Sequence, residues 1–240
     1  MTTISLQDTV GGVVGAQPSR ARVFEKLGVD YCCGGRRSLD TVCQEQGISP
    51  ETLLGALARE DARKAPEGIE TWPSLSLSEL ADHIVVKHHD YLREALPRLA
   101  TLTSKVRSAH GERHPELGQV CAVFDVFHAE LDNHMVKEER ILFPICRQLE
   151  EATGPITTHC GSTTNPITVM EAEHDSAGDA LRQLRELTGD FVPPTGACNT
   201  YRTMLDGLAE LEADMHVHIH KENSVLFPRT IAREMELASR

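Results

Sequence analysis

Apolar residues spaced three and four positions apart run through four segments of the chain, between residues 85 and 225. This spacing places them on one face of a helix, as in the seam of a helix bundle. Connections rich in glycine, proline and small polar residues separate the segments, at 110–116, 153–166 and 190–196. The pattern predicts an all-α fold with an up-down-up-down four-helix bundle. The alternating run MHVHIH at 215–220 is also compatible with a strand, but the longer helical pattern around it outweighs that interpretation.

A smaller helical unit precedes the bundle. Gly28 and Gly47 each follow a short helical segment, and Ser49 with Pro50 opens a third. A stretch with two prolines, a glycine and no periodicity then separates this unit from the bundle. We therefore predict a small helical domain over residues 1–65, a linker over 66–76 and the bundle over 77–240.

The two halves of the bundle repeat. HMVKEERILFP at 134–144 and HIHKENSVLFP at 218–228 share the order His, three residues, Glu, three residues, Leu-Phe-Pro. A similar offset places HHD at 88–90 over EHD at 173–175. The repeat predicts a duplicated helical hairpin.

Polar residues interrupt the apolar seam at positions where a bundle core normally holds Leu or Ile. They are His89, His134, Glu138, His174, His218 and Glu222. Burying carboxylates and imidazoles without partners is unfavourable, so the set needs a common partner. A His and a Glu four residues apart lie on one face of a helix. Four such helices around one axis bring the six side chains to one site.

The types of ligand narrow the choice of metal. Four imidazoles and two carboxylates exceed what one tetrahedral zinc ion takes, and calcium and magnesium prefer oxygen ligands. Imidazole with carboxylate suits iron. The set predicts a hemerythrin-like centre of two non-haem iron ions, bridged by Glu138 and Glu222. The four histidines are the expected terminal ligands, and positions are left for an oxo or hydroxo bridge and for a small molecule.

Any one of these histidines alone is better interpreted as a hydrogen-bonded core residue, but six at repeat-related positions favour the metal site. Glu173 and Asp175 flank His174 and are either supporting residues of the site, or a proton relay, or ordinary exposed charges. His110 is expected at a helix end, because it lies 21 residues after His89, about 31 Å along a helix. Surface positions are expected for the histidines off the seam, which are His83, His88, His216 and His220.

The segment DYCCGG at 30–35 contains adjacent cysteines, Cys32 and Cys33. Adjacent cysteines do not easily share one tetrahedral metal and form only a strained disulfide. The following glycines are expected to expose the thiols, and Arg36 and Arg37 are expected to favour thiolate. The alternative is two small core residues beside a turn.

These motifs together resemble the iron–sulfur cluster repair proteins of the ScdA/YtfE (RIC) type, over about residues 5–230. The resemblance implies a di-iron centre with the six ligands above, and redox thiols at Cys32 and Cys33. It implies repair of iron–sulfur clusters damaged by nitric oxide or peroxide, through iron donation or reduction of nitric oxide, which makes enzymatic activity an open question. Damaged iron–sulfur proteins, nitric oxide or oxygen, and an unidentified electron donor are the implied partners. The stretch at 158–165 is longer than expected for the family. The alternative function is a hemerythrin-like carrier or sensor of oxygen or nitric oxide.

Composition excludes other classes of function. The formal charge of −12 argues against nucleic-acid and membrane-surface partners. Seven scattered cysteines favour a reducing compartment. The N-terminal segment does not read as a signal peptide, and no apolar run is long enough to span a bilayer. We therefore expect a cytoplasmic protein.

Overall fold

The computed structural model describes residues 4–62 and 72–239. Its regular elements there are helices, joined by turns and two isolated bridges. The all-α prediction is confirmed. In the described part of the chain, no helix combines the length and the apolar character needed to cross a membrane.

Four short helices form the N-terminal unit. They are α1 (Val10–Ala16), α2 (Ala21–Leu27), α3 (Leu39–Gln46) and α4 (Pro50–Asp61). Gly28 and Gly47 end α2 and α3 with φ of 67° and 66°, the left-handed conformation that glycine adopts easily. Ser49 caps α4 by accepting a hydrogen bond from the backbone N–H of Thr52. The predicted ends of these helices are therefore confirmed.

The sequence pattern does not predict α1, because three of its seven residues are glycines. Val10, Val13 and Val14 of α1 are nevertheless buried in one apolar cluster with Phe24 and Leu53. Tertiary packing thus forms a helix that local propensity disfavours.

The bundle consists of four long helical runs. The first comprises α5 (Leu77–Ile84), a π turn (Val85–His89) and α6 (Asp90–His110). The second comprises α7 (Leu117–Lys137), a π turn (Glu138–Leu142) and α8 (Phe143–Glu151). The third is α9 (Thr164–Leu187), and the fourth comprises α10 (Asn199–Lys221), a π turn (Glu222–Leu226) and α11 (Phe227–Ala238).

The π turns adjoin the interrupting polar residues. One ends at His89, and the other two begin at Glu138 and Glu222. Pro144 and Pro228 follow in the first turn of α8 and α11. There each proline's missing N–H leaves no regular helical bond unmade. Each π turn holds one extra residue, which rotates the following side chains by about 100° around the helix axis.

Two apolar layers enclose the polar residues. One layer contains Leu92, Phe127 and Leu131, and the other contains Ile84 and Phe143. Because Leu92 and Ile84 lie on either side of His89 along the chain, the polar site is sealed above and below by hydrocarbon. This separates its charges from bulk water.

Two carboxylates fix the starts of the first and third runs. Glu150 accepts hydrogen bonds from the backbone N–H groups of Leu77 and Ser78, at 3.2 and 3.0 Å. Glu234 accepts one from the N–H of Thr163 at 3.0 Å and thereby holds the end of the 158–165 stretch. Glu150 and Glu234 are 84 positions apart, so the duplication extends to the helix ends.

The N-terminal unit is docked onto the bundle. Its α1 packs against α10 and the following π turn. Asn223 donates a hydrogen bond from Nδ2 to the carbonyl oxygen of Cys32 at 3.2 Å, and Arg36 pairs with Glu171 of α9. The CCGG segment therefore lies directly against the bundle.

The predicted linker over 66–76 lies partly outside the described residues, which resume at Trp72. The Trp72 side chain is buried, with its ring 5.7 Å from that of His220. This end of the connection is thus packed on α10, while the exact domain boundaries stay a prediction.

Candidate metal centre

The structure brings the six interrupting residues together in the bundle core. Their exposed fractions range from 0% to 3%. They form two groups of four that share Glu138 and Glu222. His89 and His218 complete the first group, and His134 and His174 complete the second. Within each group, the potential ligand atoms lie within 4.8 Å of one another.

Each carboxylate directs one oxygen to each group. Glu138 places Oε2 3.2 Å from His89 Nε2 and Oε1 3.3 Å from His134 Nε2. Glu222 places Oε1 3.3 Å from His218 Nε2 and Oε2 3.1 Å from His174 Nε2. Each group thus offers two imidazole nitrogens and two carboxylate oxygens. This arrangement suits two cations with both carboxylates bridging them.

Apart from a contact of 3.1 Å between Nε2 of His134 and Nε2 of His174, the facing atoms do not satisfy one another by hydrogen bonding. Both oxygens of Glu138 and of Glu222 lack hydrogen-bond partners, as do Nε2 of His89 and Nε2 of His218. Leaving so many buried polar atoms unsatisfied is costly in an apolar core. Cations bound between these atoms remove that cost, and nitrogen and oxygen donors of this type suit iron. The residues therefore fit a pair of metal ions.

Three of the four histidines are oriented through Nδ1. His89 contacts Glu139 Oε1 at 2.7 Å, and His134 contacts Glu173 Oε2 at 2.9 Å. His174 contacts Asn223 Oδ1 at 2.8 Å. Such partners fix the ring and increase its basicity as a ligand.

His218 is the exception, because its Nδ1 has no hydrogen-bond partner. Its ring instead stacks on His88, with centroids 5.0 Å apart and an angle of 3° between the planes. Asp214 lies 2.8 Å from His88 Nδ1, and the Lys221 ammonium lies 2.9 Å from His88 Nε2. The His218 ring is therefore oriented by the His88 ring, which Asp214 and Lys221 hold in place.

The expectation of surface positions is wrong for His88 and His220, which are 4% and 1% exposed. His88 lies within the π turn that ends at His89, so the regular helical count misplaces it. His220 is covered by the N-terminal unit and contacts the carbonyl oxygen of Tyr31 at 3.4 Å. His110 is the last residue of α6, as predicted.

The pKa values match the forms that metals bind. Burial and Glu222 raise the pKa of Glu138, but His134 and His89 outweigh them, so the pKa lies below its ordinary value. Burial, with His88 and His89, holds the pKa of His218 well below its ordinary value. The site thus offers ionised carboxylates and a neutral imidazole at His218. Burial lowers the pKa of His89, but Glu138 outweighs it, so that pKa lies above its ordinary value. Burial also lowers the pKa of His134, but Glu138 and Glu173 raise it to about 10, so a cation displaces a proton there.

Glu173 acts as a supporting residue of the site. The hydrogen bond from His134 lowers the pKa of Glu173, and Lys137, which pairs with the same carboxylate, lowers it further. Asp175 is exposed and lines a cleft outside the core. Of the three alternatives for these acids, the supporting role fits Glu173, and an exposed charge fits Asp175.

The sequence motifs, taken one at a time, do not point to four further residues around the site, whereas the offset between the two repeats does. These residues are Glu139, Asn223, His88 and Lys221. Glu139 and Asn223 occupy corresponding positions, and each contacts the histidine contributed by the first run of its hairpin. His88 corresponds to Glu173, and Lys221 corresponds to Lys137. Both lysines contact the residue in that corresponding position.

A cavity of about 290 Å³ lies beside the second group. His134, His174 and Glu173 line it together with the apolar side chains of Phe127 and Ala177. A small apolar molecule in this cavity lies next to two of the potential metal ligands.

The CCGG segment differs from expectation in two respects. Cys32 is only 4% exposed, although Cys33 is partly exposed. Hydrogen bonding to Cys33 and burial hold the pKa of Cys32 well above its ordinary value. The expected thiolate stabilisation is wrong for Cys32, because Arg36 pairs with Glu171 and Arg37 pairs with Glu45.

Comparison with known proteins gives two family matches. Residues 80–230 match the hemerythrin HHE cation-binding domain, and residues 6–61 match the ScdA_N domain, a domain of unknown function. The first match covers the metal groups, and the second covers the CCGG segment.

Whole-chain relatives carry both parts. The chain is 37% identical over 226 residues to the iron–sulfur cluster repair protein YtfE of Enterobacter sp. (strain 638), covering 94% of this chain and 97% of that protein. It is also 37% identical over 218 residues to the YtfE proteins of Escherichia coli O8 (strain IAI1) and Shigella boydii serotype 4 (strain Sb227). In both cases the match covers 90% of this chain and 93% of the relative.

Proposed function

The chain belongs to the YtfE-type iron–sulfur cluster repair proteins, and we propose that it repairs damaged clusters through two iron ions held in the bundle core. The ligands in this proposal are His89 and His218 for one ion, and His134 and His174 for the other. Glu138 and Glu222 bridge the two ions. An oxo or hydroxo bridge completes the proposed centre.

The division of each carboxylate between the two groups carries this proposal. Glu138 and Glu222 each direct one oxygen to each group. Two imidazoles and two carboxylate oxygens leave coordination positions free on a metal that prefers five or six ligands. Iron so bound supplies electrons through the ferrous–ferric couple and is itself the element that a damaged cluster lacks.

The surrounding residues orient the ligand rings and enclose the site. Glu139, Glu173 and Asn223 hold three ligand rings through their Nδ1 atoms. The apolar layers exclude bulk water. The Nδ1 partners hold the rings, and the two buried carboxylates face them, so iron loading requires little rearrangement of the chain.

Iron donation to a client cluster is the first proposed route of repair, and damaged iron–sulfur proteins are the proposed partners. The mixed nitrogen and oxygen ligand set supports it, since no thiolate from the chain locks the iron in place. Such a site functions as a store from which iron is transferred.

Reduction of nitric oxide is the second proposed route, and the cavity beside His134 and His174 supports it. Two nitric oxide molecules, two electrons and two protons give nitrous oxide and water. The cavity lining is mainly apolar, but it includes Glu173 and Lys137. These two side chains place charged groups close to where the reaction consumes protons. An external electron donor is then needed to restore the ferrous state.

Metal analysis and a repair assay test the proposal together. Anaerobically purified protein is expected to contain close to two irons per chain, with coupled Mössbauer spectra after oxidation. Adding it with a thiol reductant to a ferredoxin damaged by nitric oxide is expected to restore the cluster signal. Glu138→Leu with Glu222→Leu is expected to lose both the iron and the repair, whereas the exposed control Glu94→Gln retains both.

Separate outcomes distinguish the alternatives. Nitrous oxide formation under anaerobic nitric oxide indicates the reductive route. Reversible binding of nitric oxide or oxygen, with neither turnover nor iron transfer, indicates a carrier or sensor. Zinc, a single iron or no metal in the purified chain contradicts the proposed centre.

A further inference from the structure

A third group of potential ligands lies in the N-terminal unit. It consists of Asp30, Cys32 and Cys33, whose ligand atoms lie within 4.8 Å of one another. Among the residues that the structure describes, it is the one such group outside the bundle core. Two sulfurs and one carboxylate oxygen differ chemically from the His and Glu groups of the core.

The spacing of the two thiols suits one metal ion. The sulfur atoms of Cys32 and Cys33 are 3.7 Å apart. Two thiolates on one tetrahedral ion, each bonded at about 2.3 Å, are separated by about 3.8 Å. The sequence-based expectation that adjacent cysteines do not easily share a tetrahedral metal is therefore not met by this geometry.

Asp30 pre-forms the turn that carries the thiols. Its Oδ1 accepts hydrogen bonds from the backbone N–H groups of Cys32 and Cys33 at 2.9 and 3.0 Å. Its Oδ2 accepts one from the N–H of Gly34 at 2.9 Å. Oδ1 also lies 3.2 Å from Cys32 Sγ, so the third ligand atom is held beside the thiols by the backbone.

Helix α9 brings this group next to the core site. Cys33 Sγ lies 3.5 Å from the carbonyl oxygen of His174. Gly178, one turn further along, makes room for the thiol, since a Cβ there would lie 3.2 Å from Cys33 Sγ. Glycine inside a helix is destabilising relative to alanine, so Gly178 permits close approach of the thiol at the expense of helix stability.

The group faces a cleft of about 830 Å³ between the two units. Six carboxyl side chains line this cleft against two guanidinium groups. Asp175 and Asp179 of α9 line it together with Asp30. The excess of negative charge attracts cations to the cleft.

We propose that Asp30, Cys32 and Cys33 form a second, open metal site, which holds one ferrous ion in transit between the bundle and a client protein. On binding, two sulfur–iron bonds and one oxygen–iron bond form, the two thiol protons leave to solvent, and iron keeps its oxidation state. The fourth position stays open to the cleft for a ligand from the client. Metal binding here is independent of the proposed repair function, but the transit role rests on it.

Cobalt(II) is the probe for this site. It is titrated anaerobically, to several equivalents, into the iron-loaded, full-length chain, and thiolate-to-cobalt charge transfer is followed in the near ultraviolet. The core ligands include no sulfur, so this band reports only thiolate coordination. Saturation at one cobalt per chain is expected, with two sulfur neighbours at about 2.3 Å in X-ray absorption.

Cysteine variants show which residues give rise to the charge-transfer band. Cys32→Ser with Cys33→Ser is expected to abolish it while iron content and helicity are retained. Cys160 and Cys198 are matched controls, because each lies near a histidine, His159 and His110 respectively; Cys160→Ser and Cys198→Ser leave the band unchanged. A wild-type chain without the band or without sulfur neighbours, or a band that survives in the double variant, overturns the site.

Iron transfer tests the transit role. The rate at which the loaded chain gives iron to an apo-ferredoxin is expected to fall several-fold in Cys33→Ser, with iron content per chain unchanged. If the wild-type chain binds cobalt at this site but Cys33→Ser transfers iron at an unchanged rate, the transit role is overturned. Failure of the core centre itself is recognised separately, by a wild-type chain that contains no iron pair.

Discussion

The imidazole rings of His88 and His218 lie parallel, with centroids 5.0 Å apart. In the corresponding place of the other half, Glu173 accepts a hydrogen bond from the His134 ring. The His134 ring of one metal position is therefore supported by a carboxylate, whereas the His218 ring of the other is supported by stacking on a ring that contacts the Lys221 ammonium. The duplicated halves have become electrostatically unequal.

This inequality predicts stepwise loss of metal. The ion held by His89 and His218 is expected to leave first under a chelator, because Nδ1 of His218 lacks the hydrogen-bond partner that the other three ligand rings have, and such partners change metal affinity by about 10–100-fold. Two phases of one iron each, followed by Mössbauer spectroscopy, check this. His88→Glu is expected to bring the phases together, whereas His128→Glu on the outer part of α7 leaves them apart. Simultaneous loss of both ions from the wild-type chain contradicts the prediction.

Removing the two bridging carboxylates is expected to separate metal binding from stability. Glu138→Leu with Glu222→Leu loses the metal. The free energy of unfolding of the metal-free chain is nevertheless expected to rise by about 1–3 kcal/mol, because two fully buried carboxylates that repel each other and lack hydrogen-bond partners are replaced by apolar side chains. Urea unfolding of both metal-free chains measures the difference. A less stable double variant indicates that the carboxylates already contribute to folding without metal.

Asn223 is expected to couple the N-terminal unit to the metal site, since it contacts both His174 and the backbone of Cys32. Asn223→Ala should weaken metal binding and accelerate hydrogen exchange at the amides of residues 30–35. Asn133→Ala is the matched control, because Asn133 is exposed and bonds within its own helix. Equal exchange in both variants argues against the coupling.

Stability is expected to fall in acid through Glu150 and Glu234. Burial raises the pKa of each, but hydrogen bonds from the helix starts outweigh it, and both values lie below the ordinary 4.5. A carboxyl with a lower pKa in the folded chain stabilises the fold above its unfolded pKa. That contribution is lost as pH falls through the folded value.

The amide variants measure this contribution. Glu150→Gln and Glu234→Gln are each expected to cost about 1 kcal/mol at pH 7, as for the loss of a helix cap. The difference from the wild-type chain should shrink as pH falls below about 4.5, because protonation removes the same charge in the wild-type chain. A difference that stays constant with pH would indicate that packing, rather than charge, is responsible.

Narrowing the cavity beside His134 is expected to slow the reaction with nitric oxide without removing iron. Ala177→Leu extends into the cavity, while Ala180→Leu is a similar change at a partly buried position outside its lining. Stopped-flow absorbance of the ferrous protein checks the two rates. Equal rates would indicate that nitric oxide enters by another route.

The helical period predicts the six polar residues that the structure brings together in the bundle core, because each replaces an apolar residue in a regular seam. The same period misplaces His88, since the π turn ending at His89 adds a residue to the count. Nothing local predicts the burial of Cys32, which depends on how the N-terminal unit docks. Nor does residue type distinguish Arg36 beside a thiol from Arg36 paired with Glu171 on a distant helix.

The distribution of the candidate ligands has a consequence for the separate hairpins. His89 and Glu138 come from the first hairpin, whereas His218 and Glu222 come from the second, and the other metal position is divided in the same way. A single hairpin therefore carries half of the candidate ligands for either position. On its own it is expected to bind metal only by pairing with a second copy, at a protein concentration high enough for that pairing. Joining both hairpins in one chain makes the pairing intramolecular, and it leaves each half free to differ from the other.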